Sequence, residues 1–446
     1  MFPQKIVLLG ENIIREKYEQ YNVAKVIKIN NLAELESYSH DLWMDLLVDA
    51  ELVIVSDEWE DEKILKCNKL LLDLGLCIVD DYIYTSMFIE NKLNPAAIYC
   101  LAGKDKNCFA DIIQKITKDK EIIVLHGNCQ THTLGNMLSS NKEFNQKYLV
   151  CATPRLWVEQ DEDQWKLFFD SGILNLANYL FVQEIASDNR WGYNKSTDYV
   201  ISQLSDTCTV YKISKLFFMG YFPQLKLTHM HNKVPFFRNK IHWLDSSVCI
   251  DKEVIQLILD NSSGEFKTAE EIADLISKND YFKQDEIKYF IEAELNAFEK
   301  QEKNVDIKMC DYLKDNYDKF LMFVTNVHPT KKVLEEFARR ILRSLNIMDM
   351  TIMCEDGEIQ RPMPPDNKFV IYPSVLKKFS FSDQNYSVVV ELQGEELLIL
   401  NNIKPELDLF IEENKNNNTK HRMTLQLNFR QYMLLSIRYL QAVLHT

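Results

Sequence analysis

Four consecutive apolar residues, Ile122-Ile123-Val124-Leu125, run directly into His126-Gly127-Asn128-Cys129-Gln130, and a helical pattern then continues to about Ser140. A run with no polar residue suits a strand covered on both faces, as in a parallel sheet flanked by helices. Gly127 and Asn128 both tolerate positive φ, so the sequence predicts a sharp turn that lifts Cys129 above the sheet at the start of the next helix. A thiol there meets free N–H groups and the positive end of the helix dipole, which lower its pKa and offer donors to an oxyanion. The competing reading is a small buried hydrophobe, the commoner role of a free cysteine. Metal binding through His126, Cys129 and His132 is disfavoured, because a strand, a turn and a helix aim the three side chains in different directions.

Strand and helix patterns alternate on either side of this stretch. KIVLLG at 5–10, KVIKI at 25–29, LVIVS at 52–56 and LCIVDDY at 76–82 predict a small parallel α/β unit over residues 1–117. Its first strand is followed by Gly10-Glu11-Asn12 and lacks the further glycines of a dinucleotide fingerprint. A second α/β run starts at 118, with strands at 147–153, 179–185 and 209–214 and helices near 160–170 and 196–205. These predict a doubly wound parallel sheet whose functional side chains gather at the carboxyl ends of its strands.

Residues 252–313 turn helical and charged, an insertion in which Thr268 and Glu271 form a capping-box pattern. The sheet is then expected to resume, with strand 320–325 delivering His328 at its end and a long amphipathic helix after Pro329. A histidine on such a loop is a general-base candidate, and its alternative is a cap on the following helix. This places the catalytic domain at 118–350. Residues 351–446 read as an α+β appendage suited to docking or oligomer contact, with strands at FVIYP, SVVVEL and ELLIL, a loop at 414–420 and a helix over about 428–445. His229 and His231 read as surface-loop residues rather than a metal pair, and at His242-Trp243 two readings stay open, an aromatic that holds a sugar ring or one that packs.

With 66 acidic against 51 basic residues, the net charge of −15 disfavours non-specific attraction to nucleic acid or anionic lipid. Ten scattered cysteines suggest reduced, cytoplasmic usage rather than a disulfide framework. No run of eighteen apolar residues predicts a membrane span, and the N-terminus reads as a first strand rather than a signal peptide.

The segments LHGNCQ, FVQEIASDNRWGYNKST, LFFMGYFPQL and FVTNVHPTKKVLEEFARRIL resemble the successive motifs of the WcbI-like polysaccharide-biosynthesis acetyltransferases, a variant of the SGNH-hydrolase fold. The resemblance covers about residues 120–350. It sets Gly127-Asn128-Cys129 where the parent fold has Gly-Asp-Ser, and makes His328, before Pro329, the catalytic histidine. It also sets Thr325 where the parent fold has an aspartate. The resemblance implies an O-acetyltransferase that moves acetyl from acetyl-CoA to a sugar hydroxyl of a capsular or other surface polysaccharide. Catalysis is then expected from Cys129, His328, Asn128 and Gln130, and coenzyme A contacts from Gly127, Gln183, Arg190 and Lys195. Acetyl-CoA is a donor substrate, with no permanently bound cofactor and no metal. Two routes stay open, acylation of Cys129 or direct attack by the sugar with Cys129 and Asn128 holding the oxyanion. The rival functions are a Cys-His esterase or deacetylase and a non-catalytic scaffold of an envelope-assembly complex.

Overall fold

A computed structural model describes residues 6–10, 23–28, 52–55, 82–84, 88–89, 92–117, 120–156, 162–224, 268–353, 371–379, 387–393, 416–419, 422–428, 430–434 and 437–438. His229, His231 and His242 lie outside these residues. The chain divides into two compact units, one formed by Met1–Lys215 with Ala338–Cys354 and the other by Leu216–Phe337 with Glu355–Thr446.

Two sheets build the first unit. Strands β1 (Ile6–Gly10), β2 (Val23–Lys28), β3 (Leu52–Val55) and β4 (Tyr82–Tyr84) pair in parallel in the order β2-β1-β3-β4; the first three match predicted runs, whereas the run at 76–82 lies outside the described residues except for Tyr82.

The second sheet contains β5 (Phe88–Ile89), β6 (Lys92–Leu93), β7 (Glu121–His126), β8 (Tyr148–Ala152), β9 (Tyr179–Val182) and β10 (Thr209–Lys212), in the order β10-β9-β7-β8-β6-β5. All neighbours are parallel except β5 and β6. The pairing of Leu93 with Cys151 carries this sheet back across the expected join at 117–118 to residues 88–93. Helices α1 (Pro95–Leu101) and α2 (Lys106–Thr117) precede β7, and α3 (Cys129–Ser139) follows it.

Strand β7 lies inside the sheet, and Ile123, Val124 and Leu125 have no exposure at all. Such side chains each contribute roughly 1.5–3 kcal/mol by leaving water, so this apolar run is what commits the strand to its central place. From β7 the chain passes α3 and α4 (Lys142–Lys147) to β8 on one side. It then returns, through α5 (Glu162–Ser171) and α6 (Ile173–Leu176), to β9 on the other side, and α7 (Thr197–Ser202) leads on to β10. The winding therefore reverses between β7 and β9, and a sheet of this kind opens a crevice at the carboxyl ends of such strands.

In the second unit, α8 (Ala269–Ile276), α9 (Gln284–Gln301) and α10 (Cys310–Asn316) realise the helical insertion. The predicted capping box is present, with Thr268 N–H donating to Glu271 Oε2 at 2.7 Å and Glu271 N–H donating to Thr268 Oγ1 at 3.2 Å. The Tyr221 hydroxyl, fully buried, donates to the Tyr317 carbonyl at 2.6 Å, which makes this residue a core anchor.

The expected return to the parallel sheet does not occur. β11 (Phe323–Thr325) pairs antiparallel with β12 (His328–Pro329) in a two-stranded hairpin turned by Asn326 and Val327. Only two residues separate the strands, and that spacing closes locally before any distant strand can pair. Helix α11 (Lys331–Ser344) follows, and the division between the units falls within it.

The C-terminal appendage also differs in detail. A short helix, α12 (Pro373–Leu376), starts at the last residue of FVIYP, whose first two residues lie outside the described residues. The stretch read as a loop contains β14 (Asn416–Thr419), and β13 (Ser387–Gln393), β15 (Arg422–Asn428) and β14 form an antiparallel sheet in that order. The alternation Met423, Leu425, Leu427 is the period-two signal for β15.

Candidate active site

The turn after β7 is built from contacts rather than from unusual backbone. Asn128 has φ −79° and ψ −167°, and Gly127 is not among the described glycines with positive φ, contrary to the expected left-handed turn. The glycine is required for space. A Cβ at residue 127 would lie 2.6 Å from Gln183 Oε1 and 2.7 Å from Thr131 Cγ2, closer than carbon atoms tolerate. Asn128 is the N-cap of α3, its Oδ1 accepting the Gln130 N–H at 2.9 Å, as its residue type favours.

Cys129 thus opens α3, half-buried, at the carboxyl end of the central strand. Its thiol is not acidified. Burial raises the pKa to about 11, outweighing the backbone N–H groups of Cys129 and Gln130, which act in the opposite direction. The expectation of a lowered pKa counted the helix end and omitted the desolvation of the charged form.

Beneath the turn, Gln183 is fully buried just past the end of β9. Its Oε1 accepts the Asn128 N–H at 3.1 Å, and its Nε2 donates to Gln130 Oε1 at 2.8 Å and to the Ser214 carbonyl at 2.9 Å. Gln130 is itself 2 % exposed. The structure therefore brings Gly127, Asn128, Cys129, Gln130 and Gln183 together.

The two cations of the following loop part company. Arg190 is exposed, with its guanidinium 4.9 Å from the Trp191 ring centre. Lys195 is buried, paired with Glu162 and 5.7 Å from the Trp165 ring centre. His126, also fully buried, places Nδ1 3.2 Å from Thr153 Oγ1 and stands edge-on to Trp165, and burial lowers its pKa to about 4. Among the described residues no three His, Cys, Asp or Glu side chains are grouped to hold a metal.

His328 belongs to the second unit and lies on β12 rather than on a loop after a parallel strand. Its Nδ1 is 2.8 Å from Thr325 Oγ1. Burial lowers the imidazole pKa to about 4. Missing from the sequence reading were the Thr325 hydroxyl as a partner for the ring and the supporting role of Gln183, whose contacts with the turn span more than fifty residues of chain.

The family model described as "Polysaccharide biosynthesis enzyme WcbI" matches residues 122–349, just over half of the chain and inclusive of both Cys129 and His328. The chain belongs to this family. A solved structure of WcbI, described as a novel polysaccharide biosynthesis enzyme in native form without a disulfide bond between coenzyme A and one of its cysteines, is 17% identical. That similarity covers 60% of this family member and 82% of the solved chain, with a TM-score of 0.41. No curated protein matches the chain. This WcbI-family chain has no helix, among its described residues, long and apolar enough to cross a membrane.

Proposed function

We propose that the protein is an acetyl-CoA-dependent O-acetyltransferase acting on a sugar hydroxyl of a capsular or other surface polysaccharide, or its precursor. The observation that carries this reading is the place of Cys129. A thiol opens a helix at the carboxyl end of a central parallel strand, where the winding of the sheet reverses and backbone N–H groups act on the sulfur. Membership of a family of polysaccharide biosynthesis enzymes supports the acceptor class. The six described cysteines are all free, which supports a reducing, cytoplasmic setting. That residues 118–350 are SGNH-like, with Cys129 and His328 catalytic, is part of the proposal.

In the proposed cycle the Cys129 sulfur attacks the thioester carbonyl as His328 takes the thiol proton. The carbon–sulfur bond to coenzyme A then breaks, and the proton leaves on the coenzyme A sulfur. The sugar oxygen next attacks the acyl carbon and gives its proton to His328, the bond from that carbon to the Cys129 sulfur breaks, and the proton returns to the sulfur. Asn128 and Gln130 fix the turn. Arg190, exposed and in the loop that follows Gln183, is proposed to meet a coenzyme A phosphate directly. Gly127, Gln183 and Lys195 are buried and support the donor site from beneath.

Release of the coenzyme A thiol from acetyl-CoA tests the reading. Release that depends on an added sugar acceptor supports the transferase. Equal release without acceptor, or turnover of a simple ester with no coenzyme A, would replace it with the hydrolase.

A further inference from the structure

One buried side chain grips the residues on both sides of Cys129. Gln183 accepts the main-chain N–H of Asn128 and donates to the side-chain carbonyl of Gln130, while its second Nε2 bond goes to the carbonyl of Ser214, just beyond β10. Its own backbone is fixed as well, its N–H donating to the His126 carbonyl at 2.9 Å.

The amide can point only one way. A main-chain N–H can only donate and a main-chain carbonyl can only accept, so Asn128 and Ser214 together set Oε1 toward the turn and Nε2 toward β10. Gln130 must then present its oxygen to Gln183. Packing alone does not call for this residue, because a methionine fills nearly the same volume but leaves the Asn128 N–H without its partner.

We propose that Gln183 is the positioning residue of the Cys129 turn, holding the N–H groups of residues 129 and 130 in the direction that serves the sulfur, without touching the reacting atoms. The proposal deepens the reading of Cys129 as the reacting thiol. Alkylation of that thiol reports the turn whether or not an acyl group is ever transferred.

The test is the rate of iodoacetamide alkylation of Cys129 between pH 7 and 11, resolved by peptide mass in the full chain, for the native protein, Gln183→Glu and Gln183→Met. Cys108, an exposed thiol on α2, serves as the internal standard. Gln183→Glu keeps the shape and the acceptor for Asn128, but its second oxygen faces the acceptors Gln130 Oε1 and Ser214 O and sets a charge near the sulfur. Cys129 should then react at least about tenfold more slowly at pH 8, the effect of a one-unit rise in thiol pKa. Gln183→Met keeps the site buried and releases the N–H donors, so Cys129 should slow by a smaller factor, with Cys108 unchanged in both. If Gln183→Glu does not fold, Gln183→Met decides. A native Cys129 profile in a folded variant overturns the proposal.

Discussion

The hydroxyl of Thr325 lies 2.8 Å from Nδ1 of His328 across the two-residue turn of a hairpin. An aspartate at that place would both orient the ring and stabilise its protonated form, whereas a hydroxyl only orients it. Nothing then offsets burial, and the imidazole pKa falls to about 4. With the Cys129 thiol near 11, the resting protein holds a neutral thiol and a neutral imidazole instead of an ion pair. In the proposed cycle, loss of the thiol proton to a base must therefore accompany bond formation at sulfur.

Thr325→Val should leave the fold intact and lower acetyl transfer about fivefold to tenfold, the worth of one ordinary hydrogen bond. Thr325→Asp should raise the His328 pKa, because a nearby carboxylate favours the imidazolium. Titration of the His328 ring by NMR reads this directly, and an unmoved midpoint in Thr325→Asp would break the assigned contact.

His328→Ala should cost roughly a hundredfold to ten-thousandfold in transfer rate, the usual range for a positioned base. The acid limb of the native pH–rate profile should have its midpoint near 4, below the ordinary histidine value. An ordinary limb near 6.5, or a folded His328→Ala protein with native turnover, removes His328 from the mechanism.

Acid should destabilise the fold through the same physics. His126 and His328 are both held near 4, so the unfolded chain binds more protons than the native one between that value and the free histidine pKa of about 6.5. Their contribution is complete above about pH 6.5 and is lost as pH falls toward 4. It is on the order of 3 kcal/mol for buried His126 and smaller for half-buried His328. Urea midpoints that fall across this window in the native protein, and less steeply in His126→Gln, are expected; a flat profile contradicts it.

Gly127→Ala should destabilise the first unit by roughly 1–3 kcal/mol, since its methyl group must displace Gln183 or Thr131. Its urea midpoint is expected to drop with no change in m. A stability equal to the native value would mean the turn can give way.

Much of the first unit was legible because each signal is local. The apolar runs that became β7, β8 and β9 announce buried strands, and in the second unit Thr268 with Glu271 announces a cap. The failures have a common cause in distance. Gly127 looked like a conformational glycine because much of its crowding comes from Gln183, fifty-six residues on. Cys129 looked acidified because a helix start is written in the sequence and its burial is not. Lys195 was expected to contact coenzyme A, yet it is buried and its partner Glu162 lies thirty-three residues earlier. The hairpin at Phe323–Pro329 was misread for another reason, since its two-residue turn at Asn326-Val327 is a local signal.

The central claim is that Cys129 carries the acyl group, and the most direct measurement is peptide-resolved mass of the full chain after brief exposure to acetyl-CoA without acceptor. The account predicts one acetyl group on the peptide containing Cys129. It also predicts that the group is lost on adding acceptor sugar, and that Cys129→Ser transfers very slowly, because a hydroxyl is far harder to deprotonate than a thiol. An unmodified Cys129, together with near-native transfer by Cys129→Ser, would contradict it and leave direct attack by the sugar as the route.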